Sequence, residues 1–363
     1  MTLESVGGWP GILEKILSGR DLTTNEASVA LDEVLEGAAT SGQIGAFVAG
    51  LRAKGESVEE MVGLVRSMRG HAERLEIGVE VVDTCGTGRE RSGTINVSTL
   101  SAFVVAGAGG VVCKHGGRAA SSLASSADVL EALGVVIDLG PDGVRRCVED
   151  AGIGFCFAPR FHPAMRFAAP VRKELGVATV FNFIGPLVNP AGATRQLVGV
   201  SDPVMAIKML HVLETFGSVH AMVVFGHDGL DELSTTAPST LIESVREADG
   251  TCRRRRLEID AASLGLKRAT LRELKGGDAA HNAELGIRLL DGERGPTRDL
   301  VCLNAGAALV VAGLADDLAD GFEIASAAVD DGNARRSLDR LVTVSNAAAA
   351  SSLAEGASSP SRR

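Results

Sequence analysis

Apolar residues recur at helical spacing through the first 75 positions of the chain. Ile44, Phe47, Val48 and Leu51 fall at i, i+3, i+4 and i+7, and Met61, Leu64, Val65 and Met68 repeat the spacing, so each segment carries one apolar stripe. Thr23 with Glu26, and Ser57 with Glu60, read as capping boxes at helix starts. No strand signal interrupts this region, and residues 10–75 are predicted to be all helix.

From about residue 77 the texture changes. Short β-branched runs at 79–83, 110–114, 135–138, 153–157, 178–182, 197–200 and 220–225 are strand candidates. Helical patterns at 97–108, 126–133, 141–151, 163–175 and 203–216 lie between them. Such alternation predicts βαβ units and a mostly parallel central sheet. Runs at 239–246 and 253–260 lie closer together and predict an antiparallel section. Helices near 278–291, 300–313 and 318–345 complete the pattern. The fold class is therefore α/β: a small N-terminal helical domain over 1–75, with part of 163–195 a candidate addition, and a large α/β domain over 76–345. Residues 346–363, rich in Ala and Ser, read as a disordered tail.

Composition narrows the function. The chain has 363 residues, a net charge of -10, 3% aromatic residues and no Tyr. Nucleic-acid binders use a basic face and aromatic platforms, so this class is disfavoured. The run Arg253 to Arg256 reads as a charged, solvated edge strand instead. The six cysteines include no C-x-x-C pair, which fits reduced thiols rather than disulfides or zinc. With no signal-peptide pattern and no long apolar run, a cytoplasmic chain with no membrane association is predicted.

Four loops carry candidate chemistry. Gly86-Thr87-Gly88 follows the first strand candidate, and Asn96, Ser98 and Thr99 crowd the helix start beyond it. Glycines admit a close backbone approach and a helix N-terminus attracts anions, so the loop is a candidate phosphate cradle. Lys114 to Ser122 ends the second strand candidate with a cation, a histidine, two glycines, an arginine and two serines. Ligands of parallel sheets bind beyond the carboxyl ends of the strands, where both loops fall. His162-Pro163-Ala164-Met165-Arg166 is followed by Arg172; the two arginines are six apart, so only one readily faces a cleft, where it would grip a carboxylate. Asp228, Asp231 and Glu232 form an acidic turn, which beside a phosphate ligand implies Mg²⁺.

Together these motifs resemble the anthranilate phosphoribosyltransferase family. That family's pattern is GTGGD, T-x-N-x-ST, KHGNR, GSAD-x-LEALG, HPAM, GPL-x-NP and DGLDE. Here the matching segments begin at Gly86, Thr94, Lys114, Ser125, His162, Gly185 and Asp228, with Gly276-Gly277-Asp278, Asn282 and Leu303-Asn304 also similar. The resemblance spans nearly the whole chain. It implies the nucleoside phosphorylase/phosphoribosyltransferase-like architecture, a homodimer formed through the helical domain, and transfer of phosphoribosyl from phosphoribosyl pyrophosphate to the amine of anthranilate, with Mg²⁺ as cofactor.

The resemblance also implies roles for individual residues. Lys114 and Arg172 are the catalytic candidates. The donor would be held by Gly86, Arg89, Glu90, Thr94, Asn96, Val97, Ser98 and Thr99. Lys114, His115, Gly116, Gly117, Arg118, Ser121, Ser122 and Ser126 would complete that site. The acceptor would meet Gly86, Gly117, His162 and Arg172, with Arg172 on its carboxylate. Ser98, Asp231 and Glu232 match the metal positions, and Gly185-Pro186 a hinge between domains.

Three departures stand out: Arg89-Glu90 replaces Gly-Asp after GTG, Gly117 replaces the Asn after KHG, and Ser125 replaces the Gly of GSAD. Gly117 removes a polar contact where the acceptor is read, which keeps open a paralogue acting on a different aromatic carboxylate. A nucleoside phosphorylase shares the architecture but does not need the acidic pair. A degenerate, non-catalytic relative that binds nucleotides or nucleic acid fits the retained Lys114, Asp231 and Glu232 and the acidic net charge poorly.

Overall fold

The computed structural model describes residues 2–88, 93–118 and 123–358, with side chains through residue 354. Four helices, Gly8–Leu17, Thr24–Leu35, Ser41–Lys54 and Val58–Gly70, open the chain. Capping boxes at Thr23/Glu26, Thr40/Gln43 and Ser57/Glu60 start the last three. Each satisfies two amide donors that the helix itself leaves unpaired. The predicted stripes are buried: Phe47, Val48, Leu51, Met61, Leu64 and Val65 are fully inaccessible.

The sheet follows. Its strands are β1 (Val82–Gly86), β2 (Val112–Gly116), β3 (Ile153–Phe157), β4 (Arg195–Gly199), β5 (His220–Gly226), β6 (Ser239–Arg246) and β7 (Cys252–Ile259). They lie in the order β3-β2-β1-β4-β5-β6-β7. β1 to β5 are parallel, and β6 and β7 add antiparallel. β7 forms the edge, and its Arg253, Arg254 and Arg255 pair with Glu247, Glu214 and Glu243. Chain order reverses between β1 and β4. In a parallel sheet that reversal opens a crevice beyond the strand ends, and here Thr87 N donates to Gly199 O across it at 3.0 Å.

Two apolar cores are present. One gathers the sheet with Phe103, Leu300 to Leu309 and Leu338. The other joins the N-terminal helices to Val171, Phe181, Phe183, Ile184 and Leu187 and to the helix Pro203–Thr215. Segment 163–190 therefore packs with the helical bundle although it lies far away in sequence.

Several element predictions need correction. Residues 135–138 form no strand: Val136 N is satisfied by Ser345 Oγ at 3.1 Å, a helix side chain, so β3 keeps the outer edge. Residues 178–182 end in a short helix, Phe181–Ile184, because their apolar side chains face a helical bundle rather than a sheet. Segment 163–175 divides into Pro163–Phe167 and Ala169–Leu175. The helix predicted over 318–345 is two, Leu318–Asp330 and Asn333–Ser358, broken at Gly332 with φ 70°. The second runs through the segment expected to be a disordered tail from 346: Ala348 is buried in the sheet core, and Asn346 Nδ2 donates to Gly134 O at 3.0 Å. Among the described residues no helix is long and apolar enough to cross a membrane.

Candidate active site

Lys114, on β2, is 3% exposed. Its Nζ donates to the Thr84 carbonyl of β1 and to Ser98 Oγ, the latter at 3.1 Å. Burial pushes its pKa down, and the charges of Asp83 and Glu232 oppose that shift. Asp83 lies wholly buried on β1, its pKa raised by burial and drawn back by Lys114. An isolated buried carboxylate would be prohibitive. Asp83 instead accepts from Asn189 Nδ2 at 2.8 Å and His115 N at 3.2 Å, with Gln196 Nε2 at 3.5 Å.

The acidic turn after β5 closes over this cluster. Asp231 and Glu232 are buried. Asp231 Oδ2 accepts from Gly88 N at 2.8 Å and Thr87 Oγ1 at 3.3 Å, which ties the turn to the Gly86–Gly88 loop. Asn304, fully buried, clamps the next residue from both sides: Leu233 N donates to Oδ1 and Nδ2 donates to Leu233 O, each at 2.9 Å. Asp228 is occupied internally by Ser234 Oγ at 2.6 Å, Leu230 N and Thr236 Oγ1. The turn approaches so closely that a Cβ on Gly86 would lie 2.9 Å from Asp231 Oδ2, and one on Gly199 only 1.6 Å from Asp231 O. Two carboxylates and a hydroxyl are hard oxygen donors of the kind Mg²⁺ takes beside a phosphate, so Asp231, Glu232 and Ser98 fit that ion.

The third wall is the start of helix Val97–Gly107. Asn96 holds the cap position without capping. Its Nδ2 donates to Ala124 O at 3.1 Å, and its Oδ1 accepts from Asn282 Nδ2 at 2.9 Å. Asn282 Oδ1 also accepts from Gly277 N at 2.7 Å, and Thr94 bridges to Lys275, so segment 274–282 fixes the loop. Thr99 Oγ1 donates to Ser126 Oγ at 2.9 Å. Val97 N donates to Ile95 O at 2.8 Å and Thr99 N to Asn96 O at 3.1 Å, so the turn offers an anion chiefly its dipole and the Ser98 amide. Val97 is buried and its amide is spent on Ile95 O, so the expected donor contact of this residue is not offered by its side chain or its N–H.

On the far side of Lys114 lie the acceptor candidates. Arg172 is half-buried, with Cζ 5.2 Å from the centre of the Phe181 ring. Burial lowers its pKa, and no ion pair involves it among the described residues. Arg166 instead stacks on Phe167 at the exposed surface. Arg118 is turned away too: it is exposed and paired with Asp128 at 2.6 Å and Glu131 at 2.7 Å. At Gly117 an added Cβ would meet Ala158 Cβ at 3.4 Å, an ordinary contact, so the missing asparagine reflects no steric bar at its Cβ. Gly116 lies between that residue and His115. The assignments to Arg89, Glu90, Ser121 and Ser122 lie outside the described residues.

His115 and His162 stand together, ring centres 5.1 Å apart. Burial holds His115 down to about 3 and His162 to about 4, from 6.5. Both folded values lie below the unfolded one, so the unfolded chain binds more protons as pH falls through that window. The stability involved is complete above pH 6.5 and is lost toward pH 4, at about 1.4 kcal/mol per pH unit for each ring. The urea midpoint should therefore fall between pH 6.5 and 5, and less steeply in His162→Gln. Equal slopes in the two proteins would contradict the assignment.

Sequence reasoning missed Asp83 and Gln196 as site-building residues. For Asp83 the signal was a carboxylate inside the apolar run Val81-Val82-Asp83-Thr84-Cys85. Gln196 offered none, because its partners, Asp83 and Pro186 O at 3.0 Å, come from elsewhere in the chain.

Known proteins resemble this chain in sequence and fold. The helical bundle domain of a glycosyl transferase family matches residues 10–72, and the a/b domain of that family matches residues 78–335. An anthranilate phosphoribosyltransferase from Thermomicrobium roseum is 50% identical over 340 residues, covering 93% of this chain and 97% of that protein. One from Rhodococcus jostii is 48% identical over 349 residues, covering 94% and 95%. The crystal structure of the enzyme from Thermus thermophilus superposes with a TM-score of 0.85 at 39% identity, covering 92% of this chain and 99% of that one. The enzyme from Saccharomyces cerevisiae, solved in complex with PRPP and Mg, shares the fold at a TM-score of 0.84 and 24% identity, over 93% and 98% of the two chains.

Proposed function

This chain belongs to the anthranilate phosphoribosyltransferase family, and from that premise we propose that it transfers phosphoribosyl from phosphoribosyl pyrophosphate to the amino group of anthranilate, releasing pyrophosphate, in tryptophan biosynthesis. One observation carries the reading: buried Lys114 and the buried pair Asp231–Glu232 converge, with the uncapped helix start at Val97, on the crevice between β1 and β4.

The chemistry follows from that convergence. The amine attacks C1 of the ribose while the C1–oxygen bond breaks, and negative charge grows on the departing pyrophosphate. Lys114 and the N-terminal dipole of the helix Val97–Gly107 put fixed positive potential where that charge develops. Mg²⁺, held by Asp231, Glu232 and Ser98 when bound, supplies further charge neutralisation. Among the described residues no carboxylate pairs with Arg172, so it is available to the carboxylate of the acceptor and orients the amine. Arg118, committed to Asp128 and Glu131, has no part in this reading. Relatives sharing about half their residues are anthranilate enzymes, which disfavours a different acceptor. The same reading carries a cytoplasmic homodimer pairing through the helical domain, where Leu17 is 74% exposed.

Incubation with phosphoribosyl pyrophosphate, Mg²⁺ and a panel of aromatic acids should release pyrophosphate fastest with anthranilate. Release only with another acid would overturn the acceptor. Arg172→Ala should raise the KM for anthranilate about 10- to 100-fold, the worth of a charge-assisted hydrogen-bond pair. The donor KM should stay within about twofold; equal rises in both would contradict the role.

A further inference from the structure

Asn96 occupies the cap position of the helix Val97–Gly107 without capping it. An asparagine there ordinarily turns its side-chain oxygen onto the amide of the second or third helical residue, here Ser98 or Thr99. Its oxygen instead accepts from Asn282 Nδ2 at 2.9 Å, across 186 residues of chain. Asn282 sits in the helix Ala279–Leu290 and is 3% exposed. The seating is close: a Cβ on Gly276 would lie 2.7 Å from Asn282 Oδ1 and 2.9 Å from Thr94 O.

The two side chains form a relay whose ends fix its direction. At one end Gly277 N donates to Asn282 Oδ1 at 2.7 Å. A backbone N–H only donates, so Asn282 shows it oxygen and has nitrogen left for Asn96. At the other end Asn96 Nδ2 lies 3.1 Å from Ala124 O. A carbonyl only accepts, so Asn96 shows it nitrogen and has oxygen left for Asn282. Both ends demand the same orientation, and turning either amide over would set like groups against each other at both of its contacts. The donor site is shaped accordingly. Asn96 is half-exposed and keeps a second Nδ2 hydrogen beyond the one given to Ala124. Its oxygen, which would repel a phosphate, is engaged by Asn282, and the Ser98 amide stays uncapped.

We propose that Asn282 is a positioning residue for the donor substrate: by holding the Asn96 oxygen, it makes Asn96 present N–H to the pyrophosphate group and keeps the Ser98 amide free for the same anion. This rests on the phosphoribosyl pyrophosphate reading above. Asn282 acts through Asn96 and touches no substrate itself. Both groups that the relay leaves open, the Asn96 Nδ2 hydrogen and the Ser98 amide, are hydrogen-bond donors, which suits a polyanion. Once Asn282 is removed, the Asn96 oxygen is released to cap the helix, as asparagine at this position ordinarily does, and the Ser98 amide is withdrawn from the site.

The test is a double-mutant cycle on donor binding. Calorimetry with phosphoribosyl pyrophosphate and Mg²⁺, without acceptor, gives Kd for the parent, Asn282→Ala, Asn96→Ala and the double variant. Asn282→Ala should raise Kd about tenfold or more, the worth of a hydrogen bond to a charged group. With Asn96 already removed, the same substitution should have an effect smaller by about fivefold or more, because the two residues act as one unit. The KM for anthranilate at saturating donor should stay within about twofold, since no acceptor group is disturbed. Equal losses with and without Asn96 would overturn the proposal, because that marks a merely structural role. Unchanged donor binding in Asn282→Ala would overturn it too. If Asn282→Ala does not fold, Asn282→Asp replaces it in the cycle with the same expectation: it keeps the bond from Gly277 N but cannot donate to Asn96. A parent protein that does not bind phosphoribosyl pyrophosphate would overturn the reading of function itself, and this shows before any variant is made.

Discussion

Glu232→Gln is expected to lower kcat/KM by about 100- to 1,000-fold. The substitution keeps the shape and removes one charge. Glu232 is buried, its neighbour Asp231 already spends Oδ2 on Gly88 N and Thr87 Oγ1, and Lys114 lies within reach of its field. Asp231 is therefore as much a strut of the Gly86–Gly88 loop as a ligand, whereas Glu232 carries charge that the variant deletes outright. A single preorganised electrostatic group at developing charge is worth about 3–4 kcal/mol, which sets the range. The Mg²⁺ concentration for half-maximal rate should rise together with the loss in kcat/KM. Initial rates over a Mg²⁺ titration measure both. A loss below tenfold, with an unchanged Mg²⁺ requirement, would remove Glu232 from the metal set.

Gly199→Ala is expected to disable the site and destabilise the fold together, although Gly199 touches no substrate in the reading above. Its φ is unexceptional, so the backbone would accept alanine. The obstacle is contact. The new Cβ would lie 1.6 Å from Asp231 O and 2.6 Å from Asp231 C, whereas real Cβ atoms essentially never come within 3.0 Å of another heavy atom. The neighbour is backbone, and Asn304 clamps it at Leu233. Either β4 leaves its pairing with β1 and β5 or the acidic turn moves by more than an ångström. Overpacking of this kind costs about 1–3 kcal/mol or more, and a displacement of that size at a catalytic group costs about 100-fold in rate. Thermal melting and kcat/KM measured on one preparation should both fall. Gly70→Ala, facing open space, is the control. A Gly199→Ala enzyme with unchanged melting and rate would mean that the acidic turn is not held against β4.

The sequence made some parts of this protein legible and concealed others for identifiable reasons. Ile44, Phe47, Val48 and Leu51 announced a helix because burial on one face imposes a 3.6-residue period, and that period survives in any tertiary setting. The loops at Gly86, Lys114 and Asp231 were legible because phosphate and metal chemistry needs particular residue types close together in sequence. Residues 178–182 misled because a short apolar run fits a buried strand and a buried helix equally well. Their surroundings, a helical bundle reached across more than a hundred residues, decided between them. The tail misled because Ala and Ser mark weak cores, yet Ala348 found a place against an existing one. Arg118 was drawn from its motif into the donor site, but its charge is already taken by Asp128 and Glu131 on the following helix.

By itself, then, the sequence determined the helical and sheet regions, the family, and the residue types of the donor site, because period and local motif are properties of neighbouring residues. The tertiary structure alone decided which groups share a space. It set Asp231 against the Gly86–Gly88 loop, brought Asn189 and Gln196 to Asp83, separated Arg172 from Arg166, and put the His115 and His162 rings 5.1 Å apart. Those facts depend on strand order, on backbones passing at Gly199, and on burial, which no spacing along the chain encodes. The loop at Gly86 reads as a phosphate cradle in one dimension. It becomes a site only where β4 and the acidic turn close on it.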